Sequence, residues 1–329
     1  ITANEGSAIG IGIGYYLASG RIPLIYLQNS GLGNTINPLT SLADLKVYSI
    51  PLFLMIGWRG EVVNKKQLKD EPQHKKQGLI TEKILKVMGI KYLILSKKSD
   101  YKKSISLLKK YSLKKSKPVA LLIRKKTFKK YLPKNKESKK LLTREETLKE
   151  IIKSLQNNSI KVSTTGMLSR ELNEINESKK NSKNTFMCVG GMGHAISIAT
   201  GIALKKKQKI YCFDGDGSFM MHLGSAILSA KLKNLVHIVF NNKTHDSVGG
   251  QKTISHHLSL SKIAKSLGYS KCYLVKNKYE INKVFKSIKN VKKSIFIEVL
   301  CKKGYRQNLS RPNKKLIQLK KDFIRNFPR

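Results

Sequence analysis

A chain of 329 residues with a 40% hydrophobic fraction can hold two domains of about 150 residues, each with its own core. Its formal charge is +45, from 65 basic and 20 acidic residues, yet only nine of the basic residues are arginine and the lysines are spread along the whole chain. With no helix-turn-helix, zinc finger or aromatic-studded basic strand, this profile reads as solvated lysine faces and argues against specific nucleic-acid binding. No apolar run reaches the roughly 18 residues of a membrane span, so a soluble, cytoplasmic chain without membrane contact is expected. Cysteines 188, 212, 272 and 301 show no metal-ligand spacing and read as core thiols of a reducing compartment.

The first residues, Ile1 to Gly20, are apolar and glycine-rich but carry Glu5 and no basic leader, so they do not read as a signal peptide. The chain has no initiator methionine and opens as though inside a domain, so the N-terminal domain is expected to lack a strand and a helix. Strands are expected at Leu24–Gln28, Leu52–Ile56, Tyr92–Leu95 and Val119–Ile123, with helical patterns at Thr81–Met88 and Tyr101–Tyr111. The basic, proline-bearing stretch from Lys125 to Leu142 reads as a linker. This gives one α/β domain over residues 1–125, a linker over 126–142 and a second α/β domain over 143–329. The second opens on Thr143-Arg-Glu-Glu146, close to a capping box, and continues with strands near Val162, Phe186, Tyr211, Val236, Tyr273 and Phe296. Alternating strands and helices predict parallel sheets covered on both faces.

Gly215-Asp216-Gly217 stands between an expected strand, Lys209–Phe213, and an expected helix, Ser218–Lys231. The next strand, Leu235–Phe240, runs into Asn241-Asn242. Asp216 and Asn242 therefore follow two strands joined by one helical crossover, at the sheet edge where open α/β folds bind ligands. Magnesium wants hard oxygen ligands, which the Asp216 carboxylate and the Asn242 amide oxygen supply. Gly215 and Gly217 let the backbone approach a diphosphate, and a helix starting at Ser218 offers N–H groups to its oxygens. The same triplet is a common turn, but the flanking strands and the asparagine pair one βαβ unit later favour the cofactor site.

Sliding the chain against itself places Ala8 on Ala195, Gly14 on Gly201, Leu17 on Leu204 and Ile22–Leu27 on Lys209–Asp214. Asn29-Ser30-Gly31 then falls on Asp216-Gly217-Ser218, and Glu5 on Met192. One supersecondary unit is expected twice, once with a carboxylate before its helix and once with a thioether and the metal motif.

The motif pair resembles the fingerprint of the thiamine-diphosphate-dependent decarboxylase superfamily. The resemblance implies two similar parallel-sheet domains, one for the pyrimidine and one for the diphosphate, with thiamine diphosphate and Mg2+ as cofactors. It implies that Asp216, Asn242 and the backbone carbonyl of Thr244 hold the metal. It assigns Glu5, in Ala3-Asn4-Glu5-Gly6, to N1′ of the aminopyrimidine, where a carboxylate promotes loss of the thiazolium C2 proton. A glutamate stabilised by the helix dipole is the plainer reading. In Gly190-Gly191-Met192-Gly193 it assigns Met192 to propping the cofactor and the Gly190 carbonyl to its 4′-amino group, although a buried methionine is usually core filler. Glu5 and Asp216 lie on different domains, and in this superfamily the facing domains come from different subunits, so a homo-oligomer of at least two chains is expected.

Longer runs narrow the resemblance: Thr2-Ala-Asn-Glu-Gly6, Gln28-Asn-Ser-Gly-Leu-Gly-Asn34, Ile56-Gly-Trp-Arg-Gly-Glu61, Lys69-Asp-Glu-Pro-Gln-His74 and His245-Asp-Ser-Val-Gly-Gly-Gln251. Together they look like the phosphonopyruvate decarboxylases, with the sulfopyruvate decarboxylases close by. What this implies is a small 2-oxo acid substrate, with loss of CO2 from 3-phosphonopyruvate giving phosphonoacetaldehyde for phosphonate biosynthesis. Such a doubly anionic substrate needs donors, which Arg59 offers as a planar fork and Asn29-Ser30-Gly31 as an amide nest. His74 and His245 are the candidates for proton delivery. The plainer readings are an Arg59–Glu61 pair, structural histidines and a solvated Asp70-Glu71. A carboligase would have a third domain, and a noncatalytic basic binding module is the alternative from another class.

Overall fold

Asn4 starts the first helix by accepting the Ser7 N–H on its side chain at 2.8 Å, and α1 runs Glu5–Ser19 until Gly20 turns left-handed at φ 66°. In the computed structural model, which describes residues 1–64, 66–129, 141–178, 184–312 and 314–326, the chain divides into two compact units, Thr2–Leu132 and Pro133–Arg329. Most of the stretch expected as a linker lies outside the described residues.

In the first unit α1 is followed by β1 (Leu24–Gln28), a 3-10 turn over Asn29–Gly31, α2 (Leu32–Pro38) and β2 (Phe53–Gly57). The short strands β3 (Val62–Val63) and β4 (Lys66–Gln67) come next, then α3 (Pro72–Val87), β5 (Lys91–Leu95), α4 (Tyr101–Lys115) and β6 (Val119–Ile123). The sheet has the order β1-β2-β6-β5, all parallel. The apolar run of β6 is buried throughout, as a strand covered on both faces requires. At the end of β2 the chain passes so close to α3 that a Cβ on Gly78 would lie 1.9 Å from the Gly60 carbonyl oxygen, and Gly60 itself has φ 65°. Trp58 closes this crossing by donating its Nε1–H to the Gly78 carbonyl at 3.1 Å.

The second unit opens on α5 (Arg144–Ser154) with a complete capping box: Thr143 Oγ1 accepts the Glu146 N–H at 3.1 Å, and Glu146 Oε2 accepts the Thr143 N–H at 2.8 Å. Then come β7 (Ile160–Ser163), α6 (Met167–Ser178), β8 (Thr185–Met187), α7 (Ala195–Ala203), β9 (Ile210–Gly215), α8 (Asp216–Met221), α9 (Ser225–Ser229) and β10 (Leu235–Asn241). The remaining elements are α10 (Leu260–Ser266), β11 (Lys271–Val275), α11 (Lys278–Ile288), β12 (Ile295–Leu300) and α12 (Leu316–Arg325). Six parallel strands pair in the order β11-β12-β10-β9-β7-β8. The expected internal repeat has its counterpart in two successions of helix, parallel strand and helical turn, α1–β1–Asn29 and α7–β9–Asp216. The helix expected over Ser218–Lys231 is instead two pieces. It begins on Asp216 itself, and His222, at φ −133° and ψ 55°, breaks it.

All four cysteines are free thiols, and burial pushes Cys188 up to about 12. Among the described residues no helix is long and apolar enough to cross a membrane. On β7 the Lys161 side chain is buried, with its Nζ 3.4 Å from the Ser159 carbonyl oxygen, and burial pushes its ammonium down to about 8. The folded chain therefore holds fewer protons than the unfolded chain between about pH 8 and 10.5, so stability rises with pH across that window. Lys161→Met should stabilise the chain at pH 7 by up to about 3 kcal/mol. It should also flatten the pH dependence, as read by urea unfolding at pH 7 and pH 10.

Candidate active site

The β9 and β10 strands are neighbours in register, Phe240 beside Gly215, so the residues that follow them emerge side by side. Asp216 is the first residue of α8 and is buried, and its Oδ2 accepts hydroxyl bonds from Thr253 at 2.6 Å and Ser255 at 3.0 Å. Burial pushes its carboxyl up to about 6, with the two hydroxyls opposing. No cationic side chain pairs with it among the described residues, and a buried carboxylate is a hard oxygen donor of the kind that suits a divalent cation.

On the other side, Asn242 is held at both ends of its amide. Its Nδ2 donates to Asp246 Oδ2 at 2.6 Å, and its Oδ1 accepts the Thr244 N–H at 3.1 Å. The carboxylate partner fixes which end is oxygen, because only the NH2 group can donate to it. Lys243 between them takes φ 60°, a left-handed conformation that is costly for a lysine and turns the loop here. Asp246 also accepts the Thr244 hydroxyl at 2.8 Å, Arg144 Nη1 at 3.1 Å and the Gly304 N–H at 3.1 Å. Arg144 in turn makes a fork to Glu171, 2.7 Å from Nε and 2.9 Å from Nη2. Burial opposes its charge, but the Glu171 carboxylate outweighs that and keeps it cationic.

The glycine loop joins the same place. A Cβ on Gly217 would lie 2.6 Å from His245 Cε1 and 3.3 Å from Met192 Cε, so the bare Gly217 backbone faces both side chains. Ser218 Oγ accepts the Gly193 N–H at 3.0 Å and lies 2.9 Å from Thr164 Oγ1, at the end of β7. Burial lowers the basicity of His245, with Asp246 opposing. Gly190, Met192, Gly215, Asp216, Gly217, Ser218, Asn242, Thr244 and His245 are thus gathered around the C-terminal ends of β7 to β10. An aspartate, an amide oxygen and a backbone carbonyl are donors that suit Mg2+, and Gly217 is buried with the His245 and Met192 side chains where a Cβ would stand.

In the first unit, Glu5 Oε2 accepts from Asn34 Nδ2 at 2.8 Å. Its Oε1 rests on Gly31, where a Cβ would come within 2.0 Å. The carboxylate is therefore held over the turn after β1 as well as beside the start of α1. The residues expected to meet substrate nearby have other bonds. Asn29 is buried, donating to the Arg59 carbonyl and Thr81 Oγ1 and accepting the Arg59 N–H, each at 2.9 Å. Ser30 Oγ donates to Gln28 at 2.7 Å. The Arg59 fork grips Asp70, with Nε 2.8 Å from Oδ2, and the Asp70 carboxyl is held well below the usual range by that bond. Asp70 is therefore not the solvated carboxylate its neighbourhood suggests, and Glu61 sits 3.7 Å from Arg124 rather than on Arg59. His74 lies in the first turn of α3, where burial and then the Arg59 charge lower its basicity.

Sequence reasoning missed Asn34, Thr164, Arg144, Glu171, Thr253 and Ser255. Asp246 lay inside the run His245–Gln251 but nothing there marked it as the anchor of the loop.

Comparison with known proteins agrees with this geometry. Residues 164–299 match the thiamine pyrophosphate enzyme, C-terminal TPP binding domain. The phosphonopyruvate decarboxylase of Streptomyces viridochromogenes is 32% identical over 284 residues, covering 80% of this chain and 69% of that one. The sulfopyruvate decarboxylase of Methanosarcina acetivorans is 27% identical over 337 residues, 94% of this chain and 82% of that one. Sulfopyruvate decarboxylase subunit beta of Methanocaldococcus jannaschii is 33% identical over 149 residues, 44% of this chain and 77% of that one. The chain belongs to the phosphonopyruvate decarboxylase family, and it is a thiamine-diphosphate-dependent carboxy-lyase of 2-oxo acids.

Proposed function

We propose that the chain decarboxylates 3-phosphonopyruvate to phosphonoacetaldehyde and CO2, for phosphonate biosynthesis, with Mg2+ as its metal. The observation that supports the cofactor half of this reading is that Asp216 and the Asn242–Thr244 turn follow the C-terminal ends of the adjacent parallel strands β9 and β10, beside a Gly217 with no room for a Cβ. The substrate half is supported by the 32% identity to a phosphonopyruvate decarboxylase over most of both chains. Thiamine diphosphate, when bound, supplies the nucleophilic carbon and the electron sink for loss of CO2.

The side chains have separate tasks. Asp216, the Asn242 amide oxygen and the Thr244 carbonyl hold the metal, and Gly215, Gly217 and Ser218 line the diphosphate. Met192 and the Gly190 carbonyl set the cofactor's shape, and Glu5 takes N1′ of its pyrimidine. His245, whose basicity burial lowers while Asp246 opposes, is assigned proton delivery to the substrate carbon that loses CO2, which it would perform from its imidazolium form. Arg59 is spent on Asp70, so its role toward the phosphonate is to shape the Asn29 turn, with Ser30 next to Asn29 in sequence and the His74 backbone packed against Gly60. The working form is a cytoplasmic homo-oligomer in which the pyrimidine half of one chain serves the diphosphate half of another.

Sulfopyruvate is the second reading, favoured by the 94% coverage of this chain by a sulfopyruvate decarboxylase. CO2 release from both acids, with thiamine diphosphate and Mg2+, decides between them. The expected result is a kcat/KM at least about tenfold higher for phosphonopyruvate, a difference of about 1.4 kcal/mol in transition-state binding. The reverse order would make sulfopyruvate the substrate, and turnover of neither would remove both readings.

A further inference from the structure

Behind the metal-side turn, on the sheet face covered by Phe219 of α8, Ala226 of α9 and Leu260 of α10, lies a polar cluster that the chemistry above leaves unused. Asp214 and His237 are fully buried, and Tyr269 is 3% exposed. Asp214 Oδ1 accepts the Gly215 N–H at 2.9 Å, and its Oδ2 lies 3.3 Å from His237 Nε2. His237 Nδ1 lies 3.1 Å from the Tyr269 hydroxyl. The tautomer that carries its proton on Nε2 donates to the Asp214 carboxylate and leaves Nδ1 to accept the Tyr269 hydroxyl, which satisfies both contacts at once. Phe219, Phe296 and Tyr269 surround the imidazole, with ring centroids at 5.4, 5.3 and 6.1 Å. In such a dry place a lost bond has no water to replace it, so each link holds the next in a single orientation.

The chain of bonds ends on the peptide nitrogen of Gly215, immediately before Asp216. The neighbouring strand is tied in the same manner. Asn241, immediately before Asn242, donates to Glu298 Oε1 at 2.8 Å, and Glu298 Oε2 accepts the Ser261 N–H at 2.8 Å. Both strand ends that carry proposed metal ligands are thus anchored by a buried carboxylate. We propose that His237 is a positioning residue for the metal site: through Asp214 it fixes the Gly215 peptide and so the direction in which the Asp216 carboxylate leaves the start of α8, an inference that rests on the reading of Asp216 as a metal ligand. Cys212 Sγ lies with Asp214 and His237 in a group whose ligand atoms fall within 4.8 Å of one another. Burial raises that thiol far above its usual range, which makes it a protonated core group here.

The test is the Mg2+ dissociation constant of the full chain, read by calorimetric titration in excess thiamine diphosphate, with metal-free thermal unfolding followed in parallel. His237→Leu should weaken Mg2+ by about tenfold or more, and His237→Gln, which restores a donor toward Asp214, should recover to within about threefold of wild type. Tyr269→Phe keeps the ring packing and removes the hydroxyl's bonds to His237 Nδ1 and Ser229, so it should weaken Mg2+ by about threefold, and it decides the matter if His237→Leu does not fold. A wild-type Mg2+ constant in Tyr269→Phe, a His237→Gln as poor as His237→Leu, or stoichiometric zinc in the purified chain that His237→Leu removes would each overturn the proposal. Asp216→Ala is the separate control. If it leaves Mg2+ affinity intact, the ligand assignment itself fails, whereas weak binding there with unaltered His237 variants sinks only the positioning role.

Discussion

Glu5→Gln should bind thiamine diphosphate almost as the parent does and turn over about 10²- to 10⁴-fold more slowly, the range spanned by a lost proton-transfer group. The amide is the same size, can still accept from Asn34 Nδ2, and still rests on Gly31, so the pocket geometry is kept. What it loses is the negative charge that, on the proposed assignment, would favour a proton on N1′. Gly31→Ala checks the same assignment with Glu5 left in place. Gly31 has φ −95°, which alanine adopts freely, so the only new feature is a Cβ 2.0 Å from Glu5 Oε1. A drop in kcat in both variants, with thermal unfolding little changed, is the expected pattern. Decarboxylation by Glu5→Gln at the parent rate would remove Glu5 from the chemistry.

The second large effect is at Asp216. Asp216→Ala should weaken Mg2+-dependent binding of thiamine diphosphate by on the order of 10²-fold or more, so that adding Mg2+ no longer shifts the cofactor titration. The metal-free chain should be no less stable than the parent. Its buried carboxylate is held against desolvation with no cation partner among the described residues, and the two hydroxyls it frees already lie 2.8 Å apart and can bond each other. A residue kept for folding would show the opposite: a lower unfolding temperature without metal, and an unchanged response to Mg2+ in the fraction that remains folded.

Elements whose cues are local were legible in the sequence. β1 and β6 have the expected limits because their apolar runs are bounded by Pro23 and the polar Gln28-Asn29 in one case and by Pro118 and Arg124 in the other, and the capping box at Thr143 is a four-residue signal. The positions of Asp216 and Asn242 could be read because each follows the end of a strand. The break between α8 and α9 could not be, since His222 leaves the helix where its ring stacks on His194 at 4.6 Å, a contact without local trace. The Arg59–Asp70 fork depends on β3 and β4, two residues each and too short for alternation to show. Arg144 is the extreme case, because the two carboxylates that engage it stand 27 and 102 residues further along the chain. Tertiary contacts alone select such partners, so the cofactor fingerprint was visible while the groups that hold it rigid were not.

The Asp246 carboxylate also sets where the coding sequence can be cut. It binds the loop after β10, at Asn242 and Thr244, to Arg144, the first residue of α5. A second polypeptide that begins at or before Thr143 keeps the cap, the guanidinium and both of its carboxylates in one piece. One that begins at Thr147 would leave Glu171 and Asp246 buried without their cation, at a cost of about 3–5 kcal/mol, and the ligand loop would lose the charge that holds it in place.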